Sequence, residues 1–421
     1  MRNHHTIRIK KSNAKISDLA FLCMLFLLWA QHTLVGYALI VVSYIPYIGT
    51  VSEYLFPIVI IWLAVIAFPK MQKHISAGHL LFWVVAMLVV MVNMIIYPKN
   101  APIIEENLVR ILIYALPMLF VGACYAHESH KQVLYWASLL GFLATLLHRI
   151  MKLMRGDDLT DYDMDAAYKI LPSVTYLIYY AFTNKKLRNW VIAAVGFLFV
   201  FSYGTRGPIL CQTVFLAACV FMKVRNSKSA AAKVATVVVI AVAVFLLLSG
   251  DAMVEIAEAL AKQFSKWGFS TRIFDVFLAG QFTEGSGREA MYAKIIEAIN
   301  EKPLFGHGLL GDQMILGGGA AGYYAHNLFL ELWCQFGILF GTALILYFIG
   351  RPLVAIYKQR ADKDLQLFLW MMFCINFVKL MFSGTYTVET MFFFMLGVCM
   401  SATRKKTPSA NIALDTRSAE E

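Results

Sequence analysis

Charged residues are few in this sequence, and their scarcity argues against a soluble fold. Asp, Glu, Lys and Arg make up only 15% of the 421 residues, whereas 60% of the residues are hydrophobic. Soluble domains have about a quarter of their residues charged and about half of them apolar. We therefore predict a polytopic membrane protein.

The sequence also lacks the usual signatures of metal and cofactor enzymes. It has no Walker, HExxH or Ser-His-Asp pattern and no CxxC pair, and its seven cysteines are interpreted as packing residues. A GxGxxG match at 306–311 follows no strand, so a dinucleotide site is not expected. Asp161, Asp163 and Asp165 resemble the beginning of a calcium loop. Because Ala166 occupies the position that needs glycine, we interpret them as a solvated acidic loop. No metal and no cofactor are expected.

Long apolar runs dominate what is present. A membrane-crossing helix needs about 20 apolar residues, and lipid excludes open sheets. No small-residue cleavage site follows the basic N-terminus, so we expect a retained first helix. The prediction is an all-α integral membrane protein with about twelve transmembrane helices. The expected spans are 18–44, 50–68, 79–98, 108–126, 131–153, 168–183, 188–203, 207–223, 233–250, 324–349, 365–381 and 384–402.

Lys and Arg fall on alternate loops between these spans, which predicts the topology. The positive-inside rule makes the basic side cytoplasmic and places both termini there. Because the basic residues do not gather on one face, nucleic-acid binding is not expected. The predicted organisation is a cytoplasmic N-terminus at 1–17, helices at 18–250, an extracytoplasmic loop at 251–323, helices at 324–402 and a cytoplasmic tail at 403–421.

The long outer loop differs from the other loops because it is amphipathic. Met253 to Trp267 repeats apolar residues at helical spacing, as an interfacial helix does. A second helix is predicted from Ser286, which begins an S-x-x-E capping box and puts Arg288 in the first turn. Pro303 should end that helix. The glycines from Gly306 to Gly319 predict a flexible passage towards residue 326.

Two arginines on the outer side are candidate phosphate ligands. Arg206 lies in the short turn between the seventh and eighth spans, where snorkelling to the interface is the alternative interpretation. Arg288 lies at a helix N-terminus, which favours anions, although a solvated surface arginine is the alternative. The guanidinium fork matches phosphate oxygens two at a time. Together the pair is suited to a lipid pyrophosphate.

A histidine at the beginning of an apolar helix is the candidate base. His326 would accept a proton from a sugar hydroxyl, or alternatively serve as a polar residue at the helix start. Asn327 would cap the helix or orient the imidazole ring. His307 is a rival, but its position between two glycines predicts that it is poorly fixed.

Three stretches follow one another in the C-terminal half: GTRG at 204–207, GREAMYAKIIEAINEKPLFGHG at 287–308 and AHNLFLELWCQFGILFG at 325–341. In order and spacing they resemble the O-antigen ligase and polymerase superfamily, the Wzy-type enzymes and their ligase relatives. The first 180 residues match that family only in hydropathy and topology.

The resemblance implies a metal-independent inverting glycosyltransferase in the bacterial inner membrane. Its donor would be a glycan on undecaprenyl pyrophosphate, its acceptor a second glycan, and a chain-length regulator is a further partner consistent with that role. By motif match, Arg206 and Arg288 would bind the pyrophosphate, and His326, beside Asn327, would serve the acceptor hydroxyl.

Polymerisation of lipid-linked repeat units is the activity we expect. A ligase that transfers finished glycan to lipid A core or to protein is the alternative within the class. A lipid-linked oligosaccharide flippase is the alternative outside it. Transporters are typically built from repeats with polar groups at the membrane midplane, whereas this sequence has no visible repeat.

Overall fold

The computed structural model describes residues 2–43, 52–155, 163–226, 250–266, 268, 270–279, 288–317 and 323–404. Within these ranges all regular structure is helical and no strand occurs, as predicted. The α-helices are α1 Arg2–Trp29, α2 Gly36–Ser43, α3 Ser52–Met71, α4 Ala77–Ile96, α5 Ala101–Val109, α6 Met118–Ala123, α7 His127–Met154, α8 Met164–Asn184, α9 Leu187–Phe201, α10 Arg206–Asn226, α11 Gly250–Lys266, α12 Arg272–Leu278, α13 Arg288–Glu301, α14 Gly311–Gly317, α15 Leu328–Lys358, α16 Lys363–Phe373 and α17 Thr390–Ala402.

Several of these helices are long and apolar enough to cross a membrane. Among the described residues there are five, or six if the bent pair Lys15–Trp29 and Gln31–Ile40 is one span. Helix is present at every predicted span except 233–250, which lies almost entirely outside the described residues. The membrane character is therefore confirmed, and the number of twelve spans stays a prediction.

Close backbone approach packs the last helix against the short α6. A Cβ added to Gly122 would lie 2.1 Å from the carbonyl oxygen of Phe394, and one added to Gly397 would lie 2.1 Å from that of Leu119. Small residues at such crossings let two helices approach closely inside a membrane. These two glycines thus fix α17 against α6 in the centre of the bundle.

The amphipathic stretch after residue 250 forms α11, where the sequence pattern predicts a helix. Its Phe264 ring meets the rings of Phe201 at 5.4 Å and Phe274 at 5.3 Å. These contacts attach α11 and α12 to the end of α9, next to the turn that carries Arg206. The predicted capping residue Ser286 lies outside the described residues, whereas Arg288 begins α13 and Glu301 ends it, two residues before Pro303.

The glycine-rich passage after α13 is bound to α15, and the prediction of a flexible passage is wrong for residues 306–308. The amides of His307 and Gly308 donate to the carbonyl oxygens of Cys334 and Gln335, each at 2.8 Å. Gly306 has φ +67°, and a Cβ there would lie 2.6 Å from the Cys334 carbonyl oxygen. Glycine is needed here because two backbones lie against each other.

Candidate functional site

The turn before α10 positions Arg206 at the first residue of that helix. A buried arginine, Arg149, fixes the turn: its guanidinium donates to Ser202 Oγ at 2.9 Å and to the Ser202 carbonyl oxygen at 3.3 Å. The same guanidinium lies 4.3 Å from the centre of the Tyr203 ring. Gly204 takes φ +66°, which brings the backbone against Ser270. Arg206 is half-buried at the end of this braced turn.

Tyr168 connects the turn to the other candidate residues. A Cβ added to Gly207 would lie 1.8 Å from the Tyr168 hydroxyl, so this phenol lies directly over the backbone beside Arg206. The same side chain lines a cavity together with Tyr324 and Gly384. Tyr168 therefore connects the turn of Arg206 to a cavity that Tyr324 and Gly384 also line.

Arg288 is attached to the segment between α16 and α17. Its Nη1 atom donates to the carbonyl oxygen of Phe382 at 2.8 Å. One hydrogen bond leaves further guanidinium donors of an arginine for other oxygens, because the group carries five N–H bonds. Its place at the beginning of α13 adds the positive end of a helix dipole to the charge.

His326 reaches the same segment through Tyr324. The two rings lie against each other, with centroids 3.9 Å apart and planes tilted by 36°. The Tyr324 hydroxyl lies 3.3 Å from Ser383 Oγ and accepts from the amide of Gly384 at 3.0 Å. The imidazole is 8% exposed, and His326 has φ +51°, an unusual conformation for a residue other than glycine. Such strained residues persist only where the surrounding structure holds them, and they cluster at functional sites.

Asn327 caps α15, which is one of the two roles that the sequence allowed. Its Oδ1 atom accepts from the amides of Phe329 at 3.0 Å and Leu330 at 3.3 Å.

His307 is not poorly fixed, and that prediction is wrong. Its ring lies 2.8 Å from the Ala298 carbonyl oxygen, and Asn100 donates to its backbone carbonyl at 2.7 Å. His307 thus bridges α13 and the loop that follows it.

Two buried carboxylates hold the segment that carries His326. Asp312 accepts from the amide of Ala325 at 3.1 Å and from Gln335 Nε2 at 2.7 Å. Glu331 accepts from the hydroxyl of Thr385, and Gln335 in turn accepts from Tyr386 at 2.9 Å. Burial raises the pKa of Asp312 although these donors oppose the rise. The network ties the loop before α15 to the loop before α17.

A cavity of about 770 Å³ is lined by Tyr168, Tyr324 and Gly384, the neighbours of the candidate residues; Arg206, Arg288 and His326 do not line it themselves. Two ion pairs lie in its lining: Lys379 is 2.6 Å from Glu389, and Lys169 is 2.5 Å from Asp165. Arg110 and Glu106 add one further charge of each sign. His32 projects into it just after the break in the first span. An aromatic, hydrogen-bonding wall of this kind suits a sugar. The lining also includes Tyr323, beside Tyr168, Tyr324 and Gly384.

Sequence reasoning missed several of these residues. Arg149, Tyr168 and Lys379 fall within the predicted spans 131–153, 168–183 and 365–381, so the sequence does not single them out. A charged residue within a span is a signal of function or of burial in the bundle, and both Arg149 and Lys379 carried that signal. Tyr168 carried none, because a tyrosine near the end of a span is ordinary.

The acidic residues flagged as a weak calcium signal have local roles where the structure describes them. Asp163 Oδ1 caps α8 by accepting from the amide of Ala166 at 2.9 Å, and Asp165 pairs with Lys169. Asp161 lies outside the described residues.

Elsewhere His127, Glu128 and Asp364 lie close enough to share a cation. The Lys131 ammonium is already 2.8 Å from Asp364 and 3.4 Å from Glu128, so it supplies the positive charge there.

Comparison with known proteins relates the segment that carries this site to one family. A search of the curated proteins finds no match to the chain. A family model matches the stretch that runs from the middle of α8 through α9, α10 and α13 into α15, and so contains Arg206, Arg288 and His326. Residues 171–346 match the family described as O-Antigen ligase, which confirms for this segment the resemblance to the O-antigen ligase and polymerase superfamily of membrane glycosyltransferases.

Proposed function

We propose that this protein polymerises undecaprenyl-pyrophosphate-linked repeat units into a surface polysaccharide at the outer face of the bacterial inner membrane, with both termini in the cytoplasm. The observation that carries the proposal is the connection of Arg206, Arg288 and His326 through Tyr168, Tyr324 and the segment 382–384, beside one cavity.

In the proposed reaction the sugar–phosphate bond of the donor breaks and undecaprenyl pyrophosphate leaves. Arg206 and Arg288 stabilise the negative charge that develops on the leaving pyrophosphate. Fixed positive groups aimed at developing charge usually make the largest contribution to catalysis. The two guanidinium groups take the place of a metal ion in this scheme.

The acceptor hydroxyl attacks the anomeric carbon from the face opposite the pyrophosphate, so the configuration inverts. The His326 imidazole takes the hydroxyl proton or orients the hydroxyl. The adjacent Tyr324 ring and the strained backbone fix the imidazole in one position. The cavity lined by Tyr168, Tyr323 and Tyr324 holds the acceptor glycan against this ring.

Purified protein in detergent with two lipid-linked repeat units tests the proposal. We expect products of increasing length that form without added divalent metal and persist in EDTA. A pure transporter needs two compartments and would leave the repeats unchanged in a single detergent phase. Absence of growth under conditions in which the protein is folded would contradict the proposal.

A ligase is the second candidate, because the matching family is described as O-Antigen ligase. It would use the same donor machinery and a different acceptor. The glycan profile of a deletion strain separates the two. Loss of long chains with single repeats retained indicates a polymerase, whereas long chains left on the lipid carrier indicate a ligase.

A further inference from the structure

A second cavity, of about 800 Å³, lies at the opposite end of α8. Asp165 and Tyr168 of the first cavity are in the first turns of α8, and Tyr180 and Thr183 of the second are in its last turns. The helix has 21 residues, which at about 1.5 Å per residue spans roughly 30 Å, the thickness of the hydrocarbon layer. The second cavity is therefore at the predicted cytoplasmic face. We call it the lysine cavity.

Lysines surround an apolar floor in the lysine cavity. Lys131, Lys185, Lys223 and Lys363 line it, and the apolar lining residues are Phe182, Trp190, Cys219, Met222 and Leu367. The Phe182 and Trp190 rings meet edge to face at 4.7 Å and form one side of the floor.

The positive charge of the lysine cavity is largely uncompensated. Asp364 is the acidic member of the lining, and it accepts from Lys131 at 2.8 Å and from the Tyr179 hydroxyl at 2.5 Å. The negative charge of Asp364 is therefore already paired with Lys131. Among the described residues, no carboxylate pairs with Lys185, Lys223 or Lys363 within 4.0 Å.

The geometry of Lys185 adds to this picture. Lys185 follows the last residue of α8 and has φ +52°, a left-handed conformation. Glycine or asparagine is usual at this position of a helix. Cytoplasmic lysines are expected from topology alone. Topology does not account for their placement around an apolar cavity. It also does not account for a lysine at position 185, whose left-handed backbone conformation glycine adopts with less strain.

We propose that the lysine cavity binds the phosphodiester headgroup of an anionic phospholipid. Lys185, Lys223 and Lys363 pair with the phosphate oxygens, and the first part of an acyl chain covers the floor formed by Phe182, Trp190 and Leu367. Basic pockets between helices on the cytoplasmic side are suited to such headgroups. The chemistry it recognises is a phosphate, and the apolar floor selects a lipid over a free anion.

Lipid binding to the full-length protein in detergent tests this proposal, with phosphatidylglycerol and phosphatidylcholine as probes and inorganic phosphate as competitor. The variant is K185Q/K223Q/K363Q. The matched control is K15Q/K73Q/K186Q, which removes the same charge from exposed lysines predicted on the same face but outside the cavity.

We expect the cavity variant to lose affinity for phosphatidylglycerol by on the order of 100-fold. Each lysine near an anionic lipid surface raises the affinity by about fivefold, and three lysines are changed. The control should change far less, and K185R/K223R/K363R should restore binding. Equal loss in both glutamine variants, or equal binding of phosphatidylcholine, would overturn the proposal. Displacement by phosphate at the same concentration as by lipid would also overturn it, in favour of a soluble phosphate ligand.

Discussion

The two ends of α8 present cavities of similar size and different charge. The outer lining has three basic and three acidic side chains, whereas the lysine cavity has four lysines and one aspartate. At the outer end Lys169 pairs with Asp165, and Lys379 pairs with Glu389. At the cytoplasmic end three lysines have no carboxylate partner among the described residues. Equal numbers of acidic and basic side chains leave the net field small, whereas lysines without acidic partners attract an anion over a Debye length. The outer cavity is thus arranged for positioning, and the lysine cavity for capture.

Removal of the Arg288 guanidinium should have a large effect at the outer end. We expect Arg288→Ala to slow transfer by on the order of 10²- to 10³-fold, the loss typical of one donor that stabilises developing charge. Lys294→Ala, an exposed residue of the same helix, is the matched control and should transfer at the normal rate. Elongation rates of the purified variants measure both, and equal rates for the two would remove Arg288 from the mechanism.

The contact between Gly207 and Tyr168 offers a test of the geometry at that end. Gly207→Ala forces the Tyr168 hydroxyl or the α10 N-terminus to move, because the new Cβ would lie 1.8 Å from it. We expect transfer to fall about tenfold, since small misplacements of a binding group are costly. The double variant G207A/Y168F removes the shortest contact and should recover part of the rate. No recovery, with folding intact, would contradict the role given to this contact.

Salt should separate the two ends. Exposed charges are screened as the Debye length falls from about 10 Å at 0.1 M to about 3 Å at 1 M salt. Lipid binding to the lysine cavity should therefore weaken severalfold over that range, while elongation in detergent changes less. Binding isotherms and elongation rates at matched salt give the comparison. A stronger salt effect on elongation than on lipid binding would contradict the expected difference between the outer cavity and the lysine cavity.

The smallest expected effect concerns Asp312, behind the outer site. Burial raises its pKa in the folded protein, so the folded state holds this proton more tightly than the unfolded state. Stability from this group is therefore present below the ordinary Asp pKa and declines as pH rises from there through the raised pKa. We expect Asp312→Asn to remove that part of the decline. Melting temperatures across the window measure it, and identical slopes for both proteins would contradict the assignment.

The sequence was sufficient for the helical class, the position of most helices and the order of the candidate residues. Hydrophobic runs report membrane helices directly, because lipid demands them. Arg288 at a helix start and Asn327 as a cap followed from local chemistry, which depends on neighbours in the chain.

Contacts between distant segments were not predictable in the same way. The Tyr168 hydroxyl over Gly207 and the Arg288 bond to Phe382 join residues far apart in sequence. The glycines at 306 and 308 indicated a flexible passage, whereas the structure uses them for close approach to 334–335. A glycine pattern alone does not distinguish freedom from tight contact, because both need a missing Cβ.

We propose that His326, beside Tyr324, acts on the acceptor hydroxyl. The most direct test is the elongation rate of purified His326→Ala with two lipid-linked repeats, beside His74→Ala as an exposed-histidine control. We predict a fall of about 10²- to 10⁴-fold for the first, as expected for loss of a general base, and no change for the second. Elongation by His326→Ala at the normal rate would contradict the account.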